Sequence, residues 1–134
     1  MKKHITQMSK QEIDFLVNKF KSIPEHKWKF NPYSKRRAKQ RGVDFSVFRS
    51  IWTDGFDLIE FHKHDIKGEN RILLRTIATD ENDFQVCAVF NFTTREVTTI
   101  YLNWRKNKHN NLIWEEYDSE IDIIKEFKVG KVSA

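Results

Sequence analysis

One cysteine, two prolines and four glycines are all that 134 residues hold of these types, and each scarcity removes a class of protein. The single thiol, Cys87, cannot close a disulfide within the chain or build a cysteine-based zinc cluster. It lies in an apolar run, which predicts a buried, inert side chain and no redox role. So little Pro and Gly excludes a linker, a collagen-like chain or a low-complexity segment. Neither G-x-x-x-x-G-K-[ST] nor G-x-G-x-x-G occurs, so no glycine loop cradles a phosphate, and H-E-x-x-H is missing too. Nucleoside-triphosphate and dinucleotide chemistry are therefore disfavoured. No apolar run approaches the ~18 residues of a membrane span. The opening MKKHITQMSKQE is basic without the apolar core of a signal peptide. These absences predict a soluble, cytoplasmic chain with no membrane partner.

What is present suits one domain. The hydrophobic fraction is 39%, with eleven Phe, four Trp and three Tyr, ample for a core and inconsistent with disorder. The length falls within the ~100–150 residues of a typical single core. Three stretches divide it: an N-terminal helix over 1–25, a basic helix plus sheet over 26–109, and an acidic C-terminal helix and tail over 110–134. Charge is unevenly spread. The net formal charge is +5, yet from His26 to Arg49 eight bases face one acid, Asp44, a local charge of +7. From Asn110 to Phe127 six acids face Lys125 alone, a local charge of −5. The basic pole favours polyanionic partners.

Ser9 and Glu12 form an S-x-x-E capping box ahead of Ile13, Leu16, Val17 and Phe20 at helical spacing, with Pro24 after the end. Residues 26–30 alternate and fit either a short strand or an extended arm. Pro32 suits the first turn of a helix through Gln40 or Arg41, with Gly42 as its C-cap. Asp44 is the expected N-cap of a third helix, with Phe45, Phe48 and Trp52 on one face, closing at Gly55. The period then changes to two. Strands are expected over 56–62, 71–78, 84–92 and 97–104, separated by polar breaks and a short Thr93–Glu96 hairpin. Phe84, Val86, Ala88 and Phe90 should share a face, as should Ile100 and Leu102, with Thr99 and Tyr101 opposite. A final helix is expected over 118–128, N-capped by Asp118. The fold class is α+β: N-terminal helices packed on a three- to four-stranded antiparallel sheet, with a C-terminal helix.

Two segments combine bases with aromatics. On a helix Tyr33, Arg37 and Arg41 align at i, i+4 and i+8, with Arg36 and Gln40 in the neighbouring row. Lys35 and Lys39 add charge and no acid offsets it. A solvated helix face is the bland alternative. Guanidinium forks match phosphate oxygens, and Trp28, Phe30 and Tyr33 stand nearby as stacking surfaces, which points to nucleic acid. The run Trp104, Arg105, Lys106, Asn107, Lys108 and His109 repeats the mixture after the last strand. The nucleic-acid-binding candidates are Lys35, Arg36, Arg37, Arg41, Trp104, Arg105, Lys106 and Lys108. His62-Lys63-His64 has the i, i+2 spacing of two metal ligands on a strand, but no third ligand is fixed, so no metal or cofactor is assigned.

The run R-x-x-x-R-G-V at Arg37, Arg41, Gly42 and Val43, the strand from Arg71 to Arg75, and Val97-Thr98-Thr99-Ile100-Tyr101 together resemble a small bacterial and phage family similar to the BrnT and RelE ribonuclease toxins. The resemblance spans about 31–109 and departs at Tyr33, where that family often carries His. It implies metal-independent RNA cleavage on the open face of an α+β sheet, and an antitoxin or host factor as protein partner. Such cleavage requires a base for the 2′-hydroxyl, an acid for the leaving 5′-oxygen and cations for the phosphorane. The catalytic candidates are His62, His64, His109, Arg75 and Tyr101, with Glu60 as a further acid–base partner and Arg37, Arg71 and Arg105 for the phosphate. Two functions follow, an endoribonuclease or a non-catalytic phage- or mobile-element-encoded binder of nucleic acid or of a host protein that handles it, with a protein-interaction module using the acidic C-terminal helix or exposed tryptophans as a third. Histidines clustered with Arg37 favour the first; scattered histidines beside a continuous basic stripe favour the second.

Overall fold

The computed structural model describes residues 1–107 and 112–132. Lys108 and His109 lie outside the described residues. The chain opens with a three-residue strand, β1 (Lys2–His4), and after one 3₁₀ turn enters α1 (Lys10–Lys21). The capping box forms as its spacing requires: Ser9 Oγ accepts from the Glu12 amide at 3.1 Å, and Glu12 Oε1 accepts from Ser9 N–H at 3.0 Å. A two-residue strand, β2 (Lys29–Phe30), precedes α2 (Pro32–Gln40) and α3 (Phe45–Arg49). Asp44 caps α3 by accepting from the Ser46 amide at 2.9 Å. Then come β3 (Phe56–Lys63), β4 (Asn70–Thr76), β5 (Phe84–Asn91) and β6 (Glu96–Trp104), and finally α4 (Ile123–Val132).

The architecture is α+β, with a mixed sheet in the order β1-β3-β4-β5-β6-β2. Every pairing is antiparallel except β2 on β6. The sheet thus has six strands where three to four were expected. The additional two are edge strands of three and two residues, too short to show a period. The third helix ends at Arg49, and its hydrogen bonding continues only as turns to Asp54 before Gly55, which adopts φ +96°. The last helix begins at Ile123, five residues after the expected cap. Asp118 instead closes a turn on Glu120 N–H at 2.9 Å, while Asp122 accepts from Lys125 N–H at 3.2 Å.

All four helices cover one face. Leu16 and Phe20 of α1, Ala38 of α2, Phe48 of α3, and Ile123 and Phe127 of α4 pack on Phe61, Ile72, Leu74, Val86, Ala88, Phe90, Val97 and Ile100. Alternation places Val86, Ala88 and Phe90 on this face and Tyr101 on the other, as expected. Two bulges interrupt it. Leu58 pairs with Leu74 and Glu60 with Leu73, leaving Ile59 as the extra residue. Thr99 pairs with Val89 and Val97 with Phe90, leaving Thr98 extra. Each bulge lets residues three apart, Leu58 with Phe61 and Val97 with Ile100, face the same core. The first also turns both Ile59 and Glu60 to the other face, which none of the four helices covers and where Ile59, Leu73 and Cys87 form a smaller buried cluster with Val89 and Tyr101.

A buried ion pair joins the two ends of the chain. Lys3 Nζ donates to both Glu12 carboxylate oxygens at 2.8 and 3.0 Å and to the Ile121 carbonyl at 2.7 Å. Glu12 Oε2 also accepts from the Ile123 amide at 3.0 Å. With the Ile121 carbonyl and Ile123 amide both held, α4 starts at Ile123. Burial opposes the charge on Glu12, but Lys3 and the Ser9 and Ile123 amides outweigh it and hold the carboxyl below its ordinary value. A depressed carboxyl contributes stability that is present above the unfolded pKa and lost as pH falls through the folded one. Glu12→Gln should therefore cost about 3–5 kcal/mol at neutral pH by leaving Lys3 buried without its counter-charge. It should also remove part of the stability loss that the parent shows below about pH 4.5. Urea unfolding at several pH values checks both.

Candidate nucleic-acid interface and open sheet face

Asn31 accepts from the Tyr33 amide at 2.9 Å and Pro32 fills the first turn, so α2 starts where the sequence directs. It stops at Gly42, whose φ of +76° is the left-handed geometry that favours glycine. Ser34 and Ala38 are buried against the sheet. Because β2 covers β6 only at Glu96 and Val97, the carbonyls of Thr98 and Ile100 would form a bare edge. The Ser34 hydroxyl donates to the first, and Arg41 Nη1 donates to the second at 2.9 Å.

The outward side of α2 has another character. Lys35, Arg36, Arg37, Lys39 and Arg41 are exposed. Lys2, Lys3, Lys10, Arg49, Lys63, Arg71, Arg75 and Arg105 each pair with an acid. Among the described residues none of the five α2 bases does. Lys35 with Lys39 and Arg37 with Arg41 are like charges at i, i+4, each costing about 0.2–0.5 kcal/mol. Tyr33, 62% exposed, completes the expected row with Arg37 and Arg41, and the three line a 110 Å³ cleft against residues 98–100 of β6.

His62 and His64 lie elsewhere. His62 stands on β3, three strands from β6 and so about 14 Å across the sheet from the strand α2 covers. It faces a cavity of about 270 Å³ on the uncovered face, shared with Lys2, Glu60, Leu73, Tyr101 and Tyr117. Tyr117 donates to Glu60 Oε1 at 2.5 Å, and Lys2 Nζ lies 3.6 Å from Glu60 Oε2. Arg71 sits opposite His62 across β3 and β4 and bonds Glu69 at 2.9 Å. Arg75 shares the row Asp57, Arg75, Cys87, Tyr101. It contacts Asp57 at 3.8 Å and the Asn107 carbonyl at 3.3 Å. The Nε atoms of Arg71 and Arg75 are buried without a partner. Burial, then the N-terminal ammonium, Lys2 and Arg71 push His62 below its ordinary pKa, against the pull of Glu60. Burial and the Glu60 hydrogen bond raise Tyr117; burial and Cys87 raise Tyr101. The Cys87 thiol, fully buried, is pushed up to about 11 by desolvation. The result is an imidazole biased toward its neutral form beside cations, with two phenols biased toward their protonated forms.

His64 belongs to the β3–β4 turn, where its Nδ1 accepts from Lys67 N–H at 3.1 Å and its backbone closes on Glu69 and Gly68. Its ring lies 6.3 Å from that of His62. Trp104 is 49% exposed with Lys106 Nζ 5.5 Å from its ring, while Arg105 is neutralised by Asp83 at 2.8 Å. Sequence reasoning missed Lys2 and Tyr117. Their only signal was a pair of aromatics, Trp114 and Tyr117, inside an acidic stretch. Tyr117 bridges Lys2, and Asp118 N–H bonds the Lys2 carbonyl at 2.7 Å, so this stretch lies along the outer edge of β1.

No family model, curated protein or solved structure matches the chain significantly.

The His62 environment generates its own test. Arg71→Gln removes a repelling charge and should raise the His62 pKa toward its ordinary value, whereas Glu60→Gln should lower it further. An NMR titration of the imidazole carbons reads both. Shifts in the reverse order would show that these charges do not govern the ring.

Proposed function

We propose that the protein binds nucleic acid, single-stranded RNA foremost, through the outward ridge of α2. The observation that carries this reading is five exposed bases clustered on and just after one nine-residue helix, none of them paired with an acid among the described residues and no acid lying on that helix. Their repulsion lowers stability, and the structural work of the helix is done by Ser34, Ala38 and one Arg41 donor. A phosphate backbone supplies the missing counter-charge, and Tyr33 offers a ring for a base. Separation of His62 and His64 from Arg37 favours binding over catalysis at this ridge.

A second reading, RNA cleavage on the uncovered sheet face, is favoured by one observation: His62 and Tyr101 share a cavity beside Arg71. The resemblance to RelE-like toxins implies an active surface on such a face. There His62 takes the 2′-hydroxyl proton, the 2′-oxygen attacks phosphorus, Arg71 and Arg75 meet the added charge, and Tyr101 returns a proton to the departing 5′-oxygen.

End-labelled RNA incubated with the protein in EDTA separates the two readings. Binding without cleavage is the expected minimum. Arg36→Gln, Arg37→Gln and Lys39→Gln together should reduce the slope of log affinity against log salt by about 2, from ~0.7 per lost phosphate contact. An unchanged slope would refute the ridge. Cleavage leaving 2′,3′-cyclic phosphate and abolished by His62→Ala would establish the second reading, and no cleavage by the parent removes it.

A further inference from the structure

A groove of about 470 Å³ lies beside the basic ridge, walled by the rings of Trp28, Phe30, Phe45, Phe48 and Trp52. Lys35, which also belongs to the ridge, lines it, together with His26 and the Arg49–Glu25 ion pair at 3.1 Å. Its size falls within the ~300–1,000 Å³ usual for small-molecule sites. Trp28 is 6% exposed, yet its Nε1 donates to nothing, and the Nε1 of Trp52 is likewise buried and unpartnered. Buried indoles ordinarily find an acceptor, and a donor left without one costs about 1–3 kcal/mol. Two such donors at one aromatic wall call for a flat ring with acceptor atoms on its edge. Lys35 at the margin, which no acid neutralises among the described residues, calls for a negative charge attached to that ring. A nucleobase on its phosphate has both, and bases stack on aromatic side chains whatever their identity.

We propose that the groove receives one unstacked nucleobase of the strand whose phosphates lie along α2, its edge accepting from the Trp28 and Trp52 indoles. The proposal rests on the binding reading of α2 and adds to it the site that holds a base. Both indole nitrogens are covered in the free protein, so a ring must move for the base to reach them.

The test uses the ¹⁵N-labelled full chain, its indole N–H resonances assigned with Trp28→Phe and Trp52→Phe. Oligoadenylate RNA and an abasic ribose-phosphate strand of equal length are titrated in turn. The expected result is downfield movement of the Trp28 and Trp52 indoles with oligoadenylate alone. The base-bearing strand should also bind at least about tenfold more tightly, the range that stacking one base provides. In Trp52→Phe this preference should fall several-fold while abasic binding is unchanged; the parent's indole shifts decide the matter should that variant not fold. Equal affinities with unmoved indoles would overturn the groove and leave the ridge standing. Failure of both strands to bind would overturn the ridge and the groove together.

Discussion

The buried pair of Lys3 and Glu12 is the constraint from which most of the remaining geometry follows. Three segments distant in sequence meet there: β1, the capping box of α1 and the start of α4. The strand β1 has three residues and no hydrophobic pattern to set its register, and a slip by one would reverse every side chain. An ammonium that must point inward to reach Glu12 removes that freedom. Once Lys3 faces the core, alternation sends Lys2 and His4 to the uncovered face, beside Glu60, Tyr117 and Trp114. The cavity around His62 is therefore built from the far side of the sheet. Apolar residues of the same volume are often as stabilising as a buried ion pair, so its role here is to fix register and helix start as much as to add stability.

The same pair explains which parts of the fold were legible. Caps that act locally were readable: Ser9, Asn31 with Pro32, and Asp44 each sit where a side chain meets a nearby amide. Asp118 is as good a cap by type, but the start of α4 is decided by Lys3 and Glu12, more than a hundred residues away. The four long strands were visible from period two. Their bulges were not, because an extra residue at Ile59 or Thr98 looks like a broken alternation until its partner strand is known. Glu60 illustrates the loss. Strict alternation from Leu58 would bury it under the helices, and only the bulge delivers it to Tyr117. The basic ridge, by contrast, was readable almost entirely, because α2 is one uninterrupted turn pattern with its cap, its glycine and its charges in a single stretch.

Division of labour within α2 follows from where it lies. A sheet edge needs donors, and α2 supplies them from its inner side through Ser34 and Arg41. That anchorage leaves its other side free of structural duties, so repulsion among Lys35, Arg36, Arg37 and Lys39 is tolerated at a few tenths of a kcal/mol per pair. An edge helix also touches two surfaces. On one flank Lys35 opens onto the aromatic groove, which is closed from beneath by Val97. On the other, Tyr33, Arg37 and Arg41 meet Thr99, whose cross-strand partner Val89 lines the His62 cavity along with Tyr101. From Thr99 to Val89 is one strand spacing, about 5 Å. Thr99 thus places the ridge beside the strand that carries Tyr101, while His62 lies three strands away on β3. The bulge at Thr98 in turn sets which β6 residues face outward next to that helix, so that Val97 and Ile100 reach the core while Thr99 and Tyr101 face away from it.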